Sequence, residues 1–237
     1  MENSESFDRE KARALQLLLA KKVVREDSFP TPLRVVGGLD LAYKEGEAAV
    51  AYVAFDYPSM KPIYSESRSV TVSVPYIPTF LSFREGPPII DVIKTAAVKS
   101  DIYLINGQGV AHPYRIGLAS HVGVLADVAT IGVAKSLLCG QVQKTERLRS
   151  HIIDGGEIIG AALRPKTNSS LLYVSLGHRI SLESSVEIVY RLVQNHSLPE
   201  PLWAAHALAK ITLSKGPSKT YSQQRRSNSY GFAERNR

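Results

Sequence analysis

With 237 residues, the chain is long enough to form one domain with a substantial buried core. The formal net charge of +7 is concentrated in residues 214–237, which carry six basic side chains and one acidic side chain, so the remainder is nearly neutral. Bulk charge alone therefore does not identify a nucleic-acid-binding protein, and any such binding has to depend on local patches and on the tail.

The cysteine content and the hydrophobic runs exclude several classes of protein. Cys139 is the single cysteine, so no internal disulfide can form, and no Cys/His cluster has the spacing of a zinc site. The N-terminus lacks a secretion signal, and no apolar run approaches the roughly 18 residues needed to cross a membrane. We therefore expect a cytoplasmic protein with no membrane segment.

The first half of the chain predicts one helix followed by three strands. Residues 8–24 place apolar side chains at helical spacing, which predicts a surface helix that packs on the core through Ala14, Leu17, Leu18 and Val24. Pro30 and Pro32 end any helix. The β-type runs that follow are joined by short polar turns and predict an antiparallel meander over residues 33–42, 48–57 and 62–74.

The second half predicts alternating strands and helices. Helices are predicted over residues 89–99, 116–127, 182–193 and 201–213, and strands over residues 101–105, 130–134, 157–163 and 171–176. Strand-helix-strand alternation indicates parallel pairing with helical crossovers. The fold class is therefore α/β, a mixed β-sheet flanked by helices, which is compatible with the ribonuclease H-like architecture. Residues 1–213 are predicted to form one domain, and residues 214–237, which are basic and poor in aliphatic side chains, a flexible tail.

Three polar residues lie where an α/β fold often carries its chemistry. Asp40 interrupts an apolar strand, and an ionised carboxylate there is costly unless it is paired or metal-bound, although Asp40 could simply cap the strand end. Glu85 precedes Gly86-Pro87-Pro88 at an expected helix entrance, where the helix dipole alone could account for it. Asn106 ends a predicted strand and precedes two glycines, which indicates either a functional strand end or an Asn-Gly turn.

Seven motifs in order make the chain similar to the endonuclease V family, whose members cut nucleic acid near deaminated bases. They are Gly38-Leu-Asp-Leu, Pro75-Tyr-Ile-Pro78, Phe83-Arg-Glu-Gly-Pro87, Gly107-Gln-Gly-Val-Ala-His-Pro113, Gly117-Leu-Ala-Ser-His121, Thr130-Ile-Gly-Val-Ala-Lys-Ser136 and Ser175-Leu-Gly-His178. The resemblance covers nearly all of the chain except the first residues and the tail.

The resemblance implies a metal-dependent nuclease site. Asp40, Glu85 and the residue at position 106 would coordinate Mg²⁺, with Mn²⁺ as a substitute, because Mg²⁺ prefers oxygen ligands. Lys135 matches the family lysine near the scissile phosphate, and His206 falls where the family places a His or Asp near a second metal.

The resemblance also implies how substrate binds. Tyr76, stiffened by Pro78, would enter the duplex beside the lesion. The flipped hypoxanthine would then lie near Leu81, Gly107, His112 and Gly132. Because the family normally carries glycine at the place of Thr79, the rim of this pocket is expected to differ.

Asn106 departs from the family, which carries a metal-binding aspartate at this position. An amide oxygen still ligates a cation but adds no charge, so metal affinity and activity should fall. The substitution could have been made to stop cutting, could be a natural variant with weak or altered activity, or could belong to a protein that binds without cutting.

The expected activity is DNA repair: hydrolysis of the second phosphodiester bond 3′ to a deaminated base, leaving 3′-hydroxyl and 5′-phosphate ends. The alternatives are a non-cleaving binding module for inosine-containing DNA or RNA, and a related ribonuclease H-like nuclease without lesion specificity. We expect a monomer whose partner is inosine-containing DNA, with RNA left open.

Overall fold

One mixed sheet organises the chain, which is described here from a computed structural model covering residues 7–143, 149–165, 170–215 and 221–224. Within those residues the helices are α1 (Arg9–Ala20), α2 (Leu81–Thr95), α3 (Leu118–Ala126), α4 (Leu182–Leu192) and α5 (Glu200–Ser214). The strands are β1 (Val35–Lys44), β2 (Glu47–Asp56), β3 (Lys61–Val70), β4 (Ile102–Asn106), β5 (Ala129–Ala134), β6 (Gln141–Val142), β7 (Arg149–Asp154), β8 (Glu157–Leu163), β9 (Leu172–His178) and β10 (Tyr221–Gln224).

The order of the strands in the sheet is β10-β3-β2-β1-β4-β5-β9-β8-β7-β6. The first three strands form the predicted antiparallel meander, and β1, β4 and β5 pair in parallel through the predicted crossovers. The β1–β2 connection is tight because Glu45 and Gly46 both adopt positive φ (52° and 87°), the conformation of a two-residue hairpin turn. The predicted α/β class, a mixed sheet flanked by helices, is confirmed.

Helices cover both faces of the sheet. On one face, α2 and α3 bury a cluster that includes Ile89, Val92 and Leu118 against β1, β2 and β4. On the other, α4 and α5 pack on the sheet, and a second cluster includes Val189 and Leu202. Among the described residues, no helix combines the length and the apolar character that a membrane crossing requires.

The buried face of α1 differs from the predicted one. Ala14, Leu17 and Leu18 are exposed on this helix, and Val24, beyond its end, is exposed as well. The helix instead buries Ala12, Gln16 and Leu19. The prediction was wrong because it rested on apolar spacing alone, whereas hydrogen bonds to the Thr79 carbonyl and to Arg13 favour burial of the polar Gln16.

The start of α2 was also predicted wrongly. The helix begins at Leu81, so Pro87 and Pro88 lie inside it and Glu85 lies within the helix, well before the predicted start at residue 89. Proline removes a helical hydrogen bond, but Ile89, Val92 and Ile93 in the following turns are buried, and this burial favours continuation of the helix.

Three strands were absent from the sequence prediction. β6 and β7 extend the sheet beyond β8, and β7 joins β8 through Gly155 and Gly156, both at positive φ. β10 lies within the segment predicted to be a flexible tail and pairs antiparallel with β3. The rest of that tail beyond Lys215 lies outside the described residues, so the boundary at residue 213 stays a prediction.

Candidate active site

Asp40 is the centre of the candidate site. It lies in the middle of β1, between β2 and β4, and its side chain is only 5% exposed. Its Oδ1 accepts hydrogen bonds from the Leu41 backbone N–H and from Asn106 Nδ2, both at 2.9 Å. Its Oδ2 lies 2.7 Å from Nδ1 of His206 on α5. A carboxylate in mid-strand that engages side chains from two other elements is not a strand-end cap.

Burial raises the pKa of the Asp40 carboxyl above its usual range, because the charged form loses the solvation of water. The hydrogen bonds from Asn106 and His206 oppose this effect because they stabilise the charged form. The carboxyl is thus a group whose proton affinity depends strongly on its neighbours, as is typical of functional sites.

Glu85 is the second carboxylate, and α2 supplies it. Its Oε1 accepts a hydrogen bond of 3.0 Å from the Tyr43 hydroxyl, and the Arg84 guanidinium lies 4.5 Å from the centre of the Tyr43 ring. Burial, together with a smaller contribution from the negative charge of Asp40, raises the pKa of Glu85 to about 7, although the hydrogen bond from Tyr43 acts in the opposite direction. Asp40 and Glu85 therefore form an electrostatically coupled pair.

Asn106, the last residue of β4, completes the group. Parallel pairing of β1 with β4 brings it beside Asp40, to which its amide donates. In place of the two repelling carboxylates that an aspartate would create, this chain has a donor and an acceptor.

Lys135 directly follows β5, and its side chain is exposed. Asn106 pairs with Val133 across β4 and β5, so Lys135 lies at the same edge of the sheet, slightly beyond the carboxylates. The structure thus brings together Asp40, Glu85, Asn106 and His206 and places Lys135 at their margin.

A cavity of about 170 Å³ lies where the sequence predicts the base pocket. It is lined by Tyr76, Thr79, Leu81, Ser82, Gly107, Gln108, His112, Gly117, Leu118, Ala134, Ser136 and Leu138. Tyr76 stands at its mouth with 69% of its surface exposed. Gly107, which directly follows Asn106, links the cavity to the carboxylates.

Pro78 and Gly132 have supporting positions. Pro78 is exposed in the loop that carries Tyr76. A Cβ added to Gly132 would lie 2.3 Å from the backbone nitrogen of Gly109, so this glycine lets β5 pack closely beneath the loop formed by residues 107–109. It shapes the cavity from behind.

Sequence reasoning missed Arg13 and Gln16, which α1 brings onto the loop that carries Tyr76. Gln16 Nε2 donates to the Thr79 carbonyl at 2.7 Å, and Arg13 Nη2 donates to Thr79 Oγ1 at 3.0 Å. The one signal in the sequence was their spacing of three residues, which places both on one face of a helix.

The donor set of the site suits a hard divalent cation. Asp40 and Glu85 offer carboxylate oxygens and Asn106 offers an amide oxygen, the ligand types that Mg²⁺ accepts. Both carboxyls have raised pKa values, and a bound cation would stabilise their charged forms. The set is nevertheless poor in charge, since no group of three His, Cys, Asp or Glu side chains among the described residues could hold a metal ion.

A mixed sheet with a buried carboxylate on its central strand and a second, partly buried carboxylate on a flanking helix is the arrangement of the ribonuclease H-like fold. Comparisons with known proteins narrow this class. The family model for endonuclease V matches residues 18–207. Endonuclease V of Dictyoglomus thermophilum is 40% identical over 202 residues, which span 84% of this chain and 88% of the relative.

Solved structures agree. Endonuclease V of Streptomyces avermitilis superposes with a TM-score of 0.82 at 30% identity, covering 89% of this chain and 95% of the other. Endonuclease V of Ciona intestinalis, solved in complex with a 24mer DNA containing an inosine followed by a ribo-adenosine, gives 0.79 at 30% identity, covering 87% and 98%. The chain belongs to the endonuclease V family.

Proposed function

We propose that the chain is a Mg²⁺-dependent endonuclease that recognises deaminated bases, chiefly hypoxanthine, and hydrolyses the second phosphodiester bond on the 3′ side, with activity reduced by Asn106. The observation that carries this proposal is the cluster of Asp40, Glu85 and Asn106 directly beside a base-sized cavity. The inosine-containing DNA bound by the Ciona relative supports the choice of substrate.

Each residue has a task in this proposal. Asp40 and Glu85, with the amide oxygen of Asn106, would hold the cation, which when bound activates water and neutralises charge on the phosphodiester. The exposed ammonium group of Lys135 would pair with the phosphate at the same edge of the sheet. Tyr76 would fill the gap left in the duplex, and the cavity behind it would take the base.

Asn106 is the reason to expect reduced activity. An aspartate at position 106 would give the site three carboxylates where this chain has two, so Mg²⁺ should bind less tightly and a smaller fraction of the protein should carry the cation. The fold should survive, because Asn and Asp are nearly the same size.

A second candidate function is selective binding of inosine-containing DNA or RNA without cutting. The hydrogen bond of 2.9 Å between Asn106 and Asp40 favours it, because this bond together with His206 satisfies the Asp40 carboxylate without any cation.

Single-turnover cleavage of an end-labelled strand with one inosine distinguishes the two candidates. The chain and its Asn106→Asp variant would be compared in Mg²⁺ and in Mn²⁺, on DNA and on RNA, with a guanosine strand as control. We expect Asn106→Asp to cut one bond beyond the 3′ neighbour of inosine, much faster than the unsubstituted chain. If neither cuts while both retain inosine-selective binding, the binding function replaces the nuclease.

Tyr76→Ala separates both candidates from a nuclease without lesion specificity. Because Tyr76 lies outside the carboxylate group, the variant should lose preference for inosine over guanosine. Equal cutting of both strands before and after the substitution would instead indicate a nuclease that does not recognise the lesion.

A further inference from the structure

The loop that carries Tyr76, residues 75–79 and hereafter the Tyr76 loop, is tied to α1. Gln16 is fully buried although it is polar, and its Nε2 donates to the Thr79 carbonyl at 2.7 Å. Its Oε1 accepts from Arg13 Nη1 at 2.6 Å, and Arg13 Nη2 reaches Thr79 Oγ1 at 3.0 Å. Two residues of one helix therefore hold both the backbone and the side chain of Thr79.

The backbone of Thr79 needs such support. Its φ is +70°, in the left-handed region that β-branched residues rarely adopt. A conformation of this kind persists only when surrounding contacts impose it. The contacts from α1 supply that constraint at the rim of the cavity, which Thr79 lines.

His112 makes a second contact with the same carbonyl. The Tyr114 backbone N–H donates to His112 Nδ1 at 3.2 Å, so the ring proton lies on Nε2, which donates to the Thr79 carbonyl at 3.2 Å. Burial lowers the pKa of His112 to about 4, which keeps the ring neutral at pH 7. Both ring nitrogens are thus engaged within the protein.

Arg13 is itself held in place by aromatic rings. The centre of its guanidinium lies 3.3 Å from the centre of the Tyr114 ring and 4.4 Å from that of Phe80. These cation–π contacts immobilise the side chain, so its donors are preorganised toward Thr79.

We propose that Arg13 and Gln16 are positioning residues: by fixing Thr79 they hold the Tyr76 loop and the rim of the cavity in the conformation that accepts a base turned out of a strand. This inference rests on the proposed function. Neither residue touches the carboxylate group through a described contact; both act on selectivity through the loop.

Two substitutions and a matched control test the proposal. Gln16→Leu keeps the size of the side chain but removes the donor to the Thr79 carbonyl, and Arg13→Met keeps the stem but removes the donor to Thr79 Oγ1. Leu17→Gln changes the exposed face of the same helix and is the control. Thermal melting would first confirm that all three are folded.

The first readout is hydrogen exchange of the free protein in the peptide that spans the Tyr76 loop. The Phe80 amide donates to the Ile77 carbonyl at 3.0 Å and so reports on the order of the loop. Exchange there should accelerate about tenfold in Gln16→Leu and in Arg13→Met, because each variant loses one hydrogen bond to Thr79. It should stay unchanged in Leu17→Gln. Unchanged exchange in both variants would overturn the proposal.

The second readout is the affinity for a DNA duplex with one inosine against the same duplex with guanosine. In both variants the ratio of the affinity for the inosine duplex to that for the guanosine duplex should fall about tenfold, while the affinity for the guanosine duplex stays within about twofold of the unsubstituted chain. Equal losses on both duplexes, or full retention of the preference, would overturn the positioning role. An unsubstituted chain without any preference for inosine would overturn the proposed function itself, and the exchange result would then still decide whether α1 orders the loop.

Discussion

Replacing Asn106 with aspartate should lower the stability of the chain without a cation and increase the stabilisation that a bound cation gives. In the unsubstituted chain the Asn106 amide donates to the buried carboxylate of Asp40 at 2.9 Å. The variant removes this donor and places a second carboxyl beside the first. Loss of a hydrogen bond to a charged group costs about 1.5–3 kcal/mol, and uptake of a shared proton by the pair limits the added repulsion.

For a domain of this size, each kcal/mol shifts the melting temperature by about 2–4 °C, so Asn106→Asp should melt roughly 3–12 °C below the unsubstituted chain in EDTA. The deficit should shrink as the pH falls, because the carboxyl pair has a raised pKa and becomes protonated. Saturating Mg²⁺ should raise the melting temperature of the variant more than that of the unsubstituted chain, since the cation binds the folded state with one more carboxylate.

Differential scanning calorimetry in EDTA and in Mg²⁺ measures both effects. Asn106→Ala is the control, because it removes the donor without adding charge and should gain no more stability from Mg²⁺ than the unsubstituted chain does. If Asn106→Asp melts at or above the unsubstituted chain in EDTA, or if Mg²⁺ stabilises both equally, the reasoning about this site is refuted.

Three further substitutions test the surroundings of the site. Gly132→Ala should lower the free energy of unfolding in urea by about 1–3 kcal/mol, because the new Cβ would lie 2.3 Å from Gly109 N; an unchanged midpoint would contradict the close packing. His121 has a pKa lowered by burial to about 4, so its contribution to stability is present above pH 6.5 and is lost as the pH falls toward 4, about 2 kcal/mol by pH 5. His121→Phe keeps an aromatic ring against Phe83 and should remove about 2 kcal/mol from the loss of unfolding free energy between pH 7 and pH 5. An unchanged pH profile of the unfolding free energy would contradict the lowered pKa of His121. Tyr76→Ala should leave the melting temperature within about 1 °C because the ring is 69% exposed, while the preference for inosine in a binding assay falls; a large loss of stability would show that the ring is structural.

Local patterns in the sequence predicted most of the sheet. The antiparallel meander followed from short turns between β-type runs, and the conformation of Glu45 and Gly46 shows why a turn that short closes a hairpin. The parallel pairing of β1, β4 and β5 followed from strand-helix alternation. Asp40 and Asn106 stood out because a polar side chain in or directly after an apolar strand is costly without a partner.

The sequence failed where long-range contacts outweigh local preference. Prolines predicted that α2 begins late, but burial of its later turns extends the helix through them. Apolar spacing predicted the wrong buried face of α1, because Gln16 turns inward to donate to the Thr79 carbonyl. That partner is 63 residues away in the sequence, so no local pattern could indicate it.

The sequence by itself determined the architecture and most of the residue types at the site, because strand periodicity, turn chemistry and isolated polar residues are all local properties. Only the tertiary structure decided which of those residues meet. His206 reaches Asp40 across 166 residues, and Arg13 and Gln16 reach Thr79 across 66 and 63 residues. Such contacts depend on how helices pack over the sheet, and the residues of a short sequence window do not determine that packing.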